Sequence, residues 1–308
     1  MKSKIISLSL ILLAVTTSCR TMPETVFVTS DMKAPKRAES FHMEHDGMDR
    51  SYLLYQPDGL AAGAPLVFVI HGFTDNARSM MNWTQFNALA DEHGFAVCYP
   101  QGARDDQGRS YWEVGYKFSE HIEKDDVDFL STLAKNLQDE YGFSKENTFA
   151  CGMSNGGEMS VMLGLFASDV FKAVGPVAAS IMDKTWKKVE GTPTVPTILI
   201  QGDKDGTTSW KGDMKDSTGW GAYHPVEDLV ALFAGDAPGM KKEVINVPNT
   251  DKGDGSTVEI TKHTYEGSDR EFLFYRVKGG DHDWPGSSGN MDINASEEIW
   301  KFFSKYIQ

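Results

Sequence analysis

The sequence predicts an α/β protein, a mostly parallel central sheet with helices on both faces, and three observations point there. Pro65-Leu-Val-Phe-Val-Ile-His-Gly72 is a continuous apolar run that stops at a glycine, as strands buried on both faces do. Asp126 to Tyr141 places Val127, Leu130, Leu133, Leu137 and Tyr141 at helical spacing, with Gly142 directly after; this is an amphipathic helix with its stop signal. Strand-like and helix-like segments then alternate towards the C-terminus, the order that builds a parallel sheet.

The remaining elements follow the same logic. Phe41–His45 and Arg50–Gln56 flank Asp46-Gly47 and predict a β-hairpin. Residues 79–92 read as one helix ended by His93-Gly94, and Phe95–Tyr99 as the next strand. Thr148–Cys151 is a strand, a helix begins near Asn155, and short apolar strands are expected at Ala173–Val177 and Thr197–Ile200. The polar, Gly/Asp-rich stretch between Asn246 and Arg276 reads as a peripheral excursion. Ser296 to Ile307 reads as a last helix, with Ile299, Trp300, Phe303 and Ile307 on one face.

The N-terminus carries an address. Lys2 and Lys4 precede an apolar run from Ile5 to Val15, the length of a signal-peptide core and too short to span a bilayer. Thr16-Thr-Ser-Cys19 resembles a lipoprotein signal, although Thr16 departs from the usual aliphatic position. The expected organisation is a signal peptide over 1–18 with Cys19 the lipidated first mature residue, a tether over 19–38, and a single catalytic domain over 39–308. The chain is thus expected to be exported, anchored to a membrane in the periplasm or at the outer surface, or otherwise secreted.

Composition is that of a globular protein, 40% hydrophobic and 24% charged. A net charge of −14 argues against nucleic acid or an anionic membrane as the main partner. Of the three cysteines, Cys98 and Cys151 sit in apolar strands and read as small core residues, with a disulfide between them as the alternative.

Chemistry concentrates in three loops. Gly152-Met-Ser154-Asn-Gly156 is a G-x-S-x-G motif between a strand and a helix, a context that resembles the nucleophile elbow of the α/β-hydrolase fold. The glycines are expected because bulky Cβ atoms would clash in so tight a turn. A serine hydroxyl needs a base, and the base a carboxylate. Of eight histidines, His282 follows a late strand in the glycine-rich loop Gly279–Gly286. Asp203 and Asp205 both follow the strand ending at Ile200; Asp205 is favoured because it lies further along the loop, and Asp203 reads as a turn residue. Backbone N–H groups of Asn155 and Phe73, with Thr74 as second option, are expected to form the oxyanion hole. Gly72 would permit that loop to turn, and His71 reads as a structural strand-end histidine.

Several runs taken together, Asp125-Asp-Val-Asp-Phe-Leu130, Cys151-Gly-Met-Ser-Asn-Gly-Gly157, His71-Gly72, Tyr99-Pro-Gln-Gly102, Gln201-Gly-Asp-Lys-Asp205, Pro225-Val-Glu-Asp-Leu229 and Gly280-Asp-His-Asp-Trp-Pro-Gly286, resemble the polyhydroxybutyrate depolymerase and feruloyl esterase family, which is related to carbohydrate esterases acting on xylan. The resemblance runs from about residue 41 to the C-terminus. It implies an α/β-hydrolase fold and a Ser154/Asp205/His282 triad working without metal or cofactor. Gln201 stands where the family usually has histidine, and the loop Thr207–Tyr223 is longer than expected. The implied substrate is a feruloyl or acetyl ester of plant cell-wall polysaccharide, with Trp284, Trp112 and Trp210 as contacts; Trp220 and Tyr223 also lie in loops. Hydroxyalkanoate oligomers or small acyl esters are the alternative, and a non-catalytic glycan-binding lipoprotein a third reading. The expected partners are the ester substrate and the lipid on Cys19, without nucleic acid.

Overall fold

Asp46 and Gly47 take left-handed φ values of 50° and 71°, which turns β1 (Glu39–His45) directly onto β2 (Met48–Tyr55) as tight hairpins require. A computed structural model of the chain describes residues 38–122 and 124–308. The signal-peptide segment 1–18, Cys19 and the tether up to residue 37 lie outside the described residues; Ala38, expected as the end of the tether, is buried.

After the hairpin come β3 (Leu66–Ile70), α1 (Ala77–Thr84), α2 (Phe86–His93), β4 (Ala96–Pro100), the short β5 (Ala103–Arg104) and β6 (Ser110–Tyr111), and α3 (Asp126–Tyr141). Then follow β7 (Thr148–Met153), α4 (Asn155–Phe166), β8 (Ala173–Val177), α5 (Asp183–Trp186), β9 (Thr197–Gly202), α6 (Val226–Ala234), β10 (Met240–Asn246), β11 (Thr257–Tyr265), β12 (Glu271–Lys278) and α7 (Ala295–Phe303). Among the described residues ten strands form one sheet in the order β1-β2-β4-β3-β7-β8-β9-β12-β11-β10. Strands β4 to β12 of that order run parallel to one another; β1, β2, β11 and β10 extend the two edges antiparallel.

Alternation along the strands builds two cores. Leu66, Phe68 and Ile70 pack with α3, α4 and α6, while Val67 and Val69 pack with α1, α2 and α7. Cys98 and Cys151 fall in different cores as free, buried thiols, and burial pushes both up, away from the reactive thiolate.

Three expectations need correction. The helix expected over 79–92 is two, because Gln85 adopts φ 57° between them; the break leaves the Thr84 carbonyl to accept from Ser296 Oγ at 2.6 Å. The last helix ends at Phe303 and passes into a 3₁₀ turn, Ser304–Tyr306, so that Ile307 is exposed instead of packed. The stretch between Asn246 and Arg276 is no excursion: β11 belongs to the main sheet and β12 pairs in parallel with β9.

Trp284 also changes role. Expected at the substrate, it is fully buried, its ring 6.5 Å from that of Phe86 and its Nε1 donating to Ser296 Oγ at 3.0 Å. It therefore clamps α7 to α2. Trp284→Phe should lower stability by roughly 1–3 kcal/mol through lost volume and the lost indole hydrogen bond, read from thermal melts, while KM stays within about twofold; a large KM change with an unaltered melt would restore it to the substrate site.

Candidate active site

Ser154 stands between β7 and α4 with φ 57° and ψ −125°, a conformation non-glycine residues hold only when their surroundings force it. The forcing is visible. A Cβ on Gly152 would lie 2.5 Å from the Gly156 carbonyl oxygen, and one on Gly156 would lie 2.2 Å from that of Ile70. Backbone thus packs on backbone, and the serine is lifted, half-buried, above the C-terminal ends of the parallel strands. Ser154 N–H donates to Val177 O at 2.9 Å, and Ser154 O accepts from Glu158 N at 2.8 Å, the first helical bond.

The acid and base loops meet beside it. His282 Nδ1 lies 2.8 Å from Asp205 Oδ2. The same carboxylate, fully buried at its side chain, accepts from Gln201 Nε2 at 3.1 Å and from the N–H groups of Thr207 and Thr208 at 2.8 and 2.7 Å. An ionised carboxylate only accepts, so the proton of this bond sits on Nδ1 and leaves Nε2 as the basic nitrogen. Gln201, the residue that departs from the family pattern, is thereby a donor to the acid. Asp203 turns away: it takes two bonds from Arg276, at 3.1 and 2.8 Å, and one from Gly279 N at 2.8 Å. Asp281 Oδ1 accepts from Gly206 N and His282 N, each at 2.8 Å, and so ties the two loops together.

The loop after β3 is held by a buried histidine. His71 Nδ1 is 2.7 Å from Gly72 O, and its Nε2 accepts from Gly102 N at 2.9 Å. One nitrogen donates and the other accepts, which makes the ring neutral; burial holds its pKa below the usual value. Because the peptide is planar and trans, fixing the Gly72 carbonyl also fixes the Phe73 N–H, which points the opposite way. Thr74 N–H is engaged by Ser110 O at 2.8 Å. The left-handed residue of this loop is Thr74, φ 64°, and not Gly72.

Trp112, expected as a substrate contact, is a fully buried brace. Its Nε1 donates to His71 O at 2.9 Å, and its backbone N–H and C=O pair with the Asn155 side chain at 2.7 and 3.0 Å. It joins the two segments that carry Phe73 and Asn155. Trp210 is half-buried against Phe274, its ring 4.8 Å under the Arg276 guanidinium, and is not part of the cavity wall.

That cavity, about 260 Å³, is lined by Ser154 and His282 together with Phe73, Trp220, Tyr223 and Met182. Trp220 reaches it from the long loop 207–223, its ring 5.0 Å from Phe73. Thr207, Thr208, Tyr116 and Glu158 complete the wall, and sequence reasoning missed the last two. Tyr116 OH donates to Glu158 Oε2 at 2.5 Å, and burial pushes the Glu158 carboxyl up to about 7. A signal existed: Glu158 is the one charge between Gly152 and Asp169. A larger cavity lies elsewhere, bordered by Lys124, Asp126 and Lys184; size does not override the chemistry here. Among the described residues, His45, Asp46 and Asp128 form a group able to ligate a metal, with His45 Nε2 at 3.6 and 3.3 Å from the two carboxylates, on the hairpin and α3 and not in the cavity wall.

The acetyl xylan esterase from Aspergillus awamori superposes over 87% of this chain and 99% of its own, with a TM-score of 0.58 and 17% identity. In sequence, the chain is 28% identical over 270 residues to the bifunctional acetylxylan esterase/xylanase XynS20E of Neocallimastix patriciarum, covering 86% of this chain and 34% of the relative. It is 23% identical over 189 residues to feruloyl esterase B of Thermothelomyces thermophilus, covering 61% and 60%. The chain thus spans about a third of the bifunctional relative's length. The family described as esterase PHB depolymerase matches residues 50–207. Fold and relatives define a carboxylic ester hydrolase of the α/β-hydrolase fold. More narrowly, the chain belongs to the esterase PHB depolymerase family.

Glu158 makes stability depend on pH. Its folded value of about 7 lies above the ordinary 4.5, so the fold prefers the neutral acid. That contribution is complete below pH 4.5 and lost as pH rises through about 7. Glu158→Gln cannot ionise and escapes the loss. The variant should gain on the parent by on the order of 2 kcal/mol between about pH 5 and pH 8, measured by denaturant unfolding; a constant difference across that range would show the carboxyl to be ordinary.

Proposed function

We propose that the chain is a serine esterase working through an acyl-enzyme on Ser154 and acting on feruloyl or acetyl esters of plant cell-wall polysaccharide. The observation that carries this reading is the convergence on one cavity of a serine on a strained elbow and a histidine backed by a buried carboxylate. His282 Nε2 takes the proton of Ser154 Oγ as the oxygen attacks the ester carbonyl. The developing oxyanion is held by the N–H groups of Phe73 and Asn155, the latter opening α4, whose N-terminal dipole favours negative charge. His282 then hands the proton to the departing alcohol, and water repeats the cycle on the acyl-enzyme.

For the substrate, the support is the acetylxylan and feruloyl esterase relatives and the rings of Phe73, Trp220 and Tyr223, which suit the faces of phenols and sugars. A hydroxyalkanoate oligomer or small acyl ester is the second reading, favoured by the family's description and by a cavity of about 260 Å³ that holds a short acyl group. The non-catalytic glycan-binding reading is overturned by membership of an esterase family.

Ser154→Ala should lose roughly 10⁴-fold or more in kcat with an unchanged fold. Asp205→Asn should lose on the order of 10³-fold or more, and Asp203→Asn less than about tenfold, since only the former touches the base; the reverse order would reassign the acid. Rates on methyl ferulate, acetylated xylan and 3-hydroxybutyrate oligomers decide the substrate: turnover confined to the last would establish the second reading.

We also propose that the chain is exported and held to a membrane by lipid on Cys19. The support is the residue pattern around Cys19; among the described residues no helix is long and apolar enough to cross a membrane. In full-length protein expressed in a bacterial host, Cys19→Ala should abolish incorporation of labelled fatty acid and release the enzyme from the membrane fraction. Unchanged fractionation and labelling would reject the anchor.

A further inference from the structure

Beside the rings of Phe73, Trp220 and Tyr223, in a wall whose other polar members are Ser154, His282, Thr207 and Thr208, sits one carboxyl. Glu158 follows Ser154 by one helical turn, so it rides on the same α4 start that aims the serine. It is only 7% exposed. Burying a carboxyl among rings is costly, and an apolar side chain of similar volume would stabilise the fold better. The bond from Tyr116 engages Oε2, yet a carboxyl offers about four acceptor positions. The Asn155 side chain also reaches the carboxyl, and Glu158 lines the cavity together with His282. Burial keeps it near neutrality at about 7, so over the neutral range it accepts a hydrogen bond in either form.

We propose that Glu158, oriented by Tyr116, is a specificity-determining residue that accepts a hydrogen bond from a hydroxyl of the bound ester, selecting hydroxylated substrates over their deoxy counterparts. This rests on the reading that Ser154 attacks an ester seated in this cavity and narrows its substrate class. A polar group built into an apolar site fixes orientation. A ligand lacking the matching hydroxyl leaves that group unpaired, and such sites discriminate far more strongly than apolar ones do. The hydroxyl belongs either to the acyl group or to the sugar next to the ester bond, and the experiment separates these sources.

The test is kcat/KM on matched pairs: methyl p-coumarate against methyl cinnamate and methyl 3-hydroxybutyrate against methyl butyrate for the acyl side, and an acetylated xyloside with its neighbouring hydroxyl free against the same hydroxyl methylated for the sugar side. The parent enzyme should favour the hydroxylated member by about tenfold or more in at least one pair. Glu158→Met should bring that ratio close to one. Glu158→Gln, which keeps shape and one acceptor oxygen, should retain part of it, and provides the test if the methionine variant does not fold. Tyr116→Phe should lower the ratio less than Glu158→Met. A merely structural carboxyl would alter both members of a pair alike and leave the ratio intact. Equal turnover of both members by the parent, dependent on Ser154, overturns the role of Glu158 while leaving the nucleophile standing. So does a ratio unchanged in Glu158→Met or, where that fails to fold, in Glu158→Gln. Turnover that survives Ser154→Ala, or no turnover of any of these esters, overturns the reading of the site and this proposal with it.

Discussion

The first turn of α4 lies against the end of β3 with no side chain between them. At Gly156 a single added carbon would stand 2.2 Å from the Ile70 carbonyl oxygen and 2.5 Å from that of His71. The close approach is maintained by the parallel pairing of β3 with β7, in which Ile70 faces Gly152. Ser154 is the residue that must absorb the change of direction, and it does so at φ 57°. Strain of this kind persists only when neighbours over-determine it, and the sheet on both sides of β7 supplies them. The same contact sets the start of α4 beside the end of β3, from which the His71–Phe73 loop departs.

Around that contact, His71, Trp112 and Asn155 are linked by hydrogen bonds in series, while Gln201, which donates to Asp205, keeps its Oε1 without a partner. His71 is neutral because it must donate to Gly72 and accept from Gly102, and charging it in a dry interior would break the second bond. Trp112 bonds His71 O and both amide atoms of the Asn155 side chain, which ties the His71–Phe73 loop to the start of α4. On the other side, Asp205 collects four donors and Asp281 bridges the acid loop to the histidine loop. A carboxylate stripped of water is tolerable when every lone pair is met. Preorganisation here is a matter of hydrogen-bond saturation.

The cavity, by contrast, is closed by a segment with little regular structure. The loop 207–223 is held by Lys117 N donating to Trp220 O at 2.9 Å, by Gly221 N donating to Asp216 Oδ1 at 2.8 Å, and by the Lys117–Asp216 ion pair. Those bonds seat Trp220 on Phe73 and Tyr116, with ring centres 5.0 and 5.3 Å apart. Loops carry specificity because their residues are free of the packing that constrains the sheet. Glu158 is the exception, a polar group placed at the wall by a rigid helix.

How much was legible in the chain follows from the range of each interaction. The turn at Asp46-Gly47, the strand β3 and the helix α3 depend on residues within a few positions of one another, and the amino-acid order by itself determined them. The elbow was legible from its glycines, while the strain at Ser154 is held by β3 and β8 from far along the chain. Asp205 and His282 were legible for a related reason: each lies in the loop just after a strand, and parallel strands bring their C-terminal ends together. Other features depend on what packs from far away. Trp112 and Trp284 sit in loops beside residues of the site, yet both are buried because other elements cover them; Trp210 is drawn off by Phe274 and Arg276. The break at Gln85 accompanies a bond from Ser296 that no local pattern records. The Tyr116–Glu158 pair spans 42 positions. Periodicity and turn chemistry are local and can be read from the chain, but burial and hydrogen-bond partnership are properties of the assembled tertiary structure, and these decided which aromatic rings and which carboxyl line the cavity.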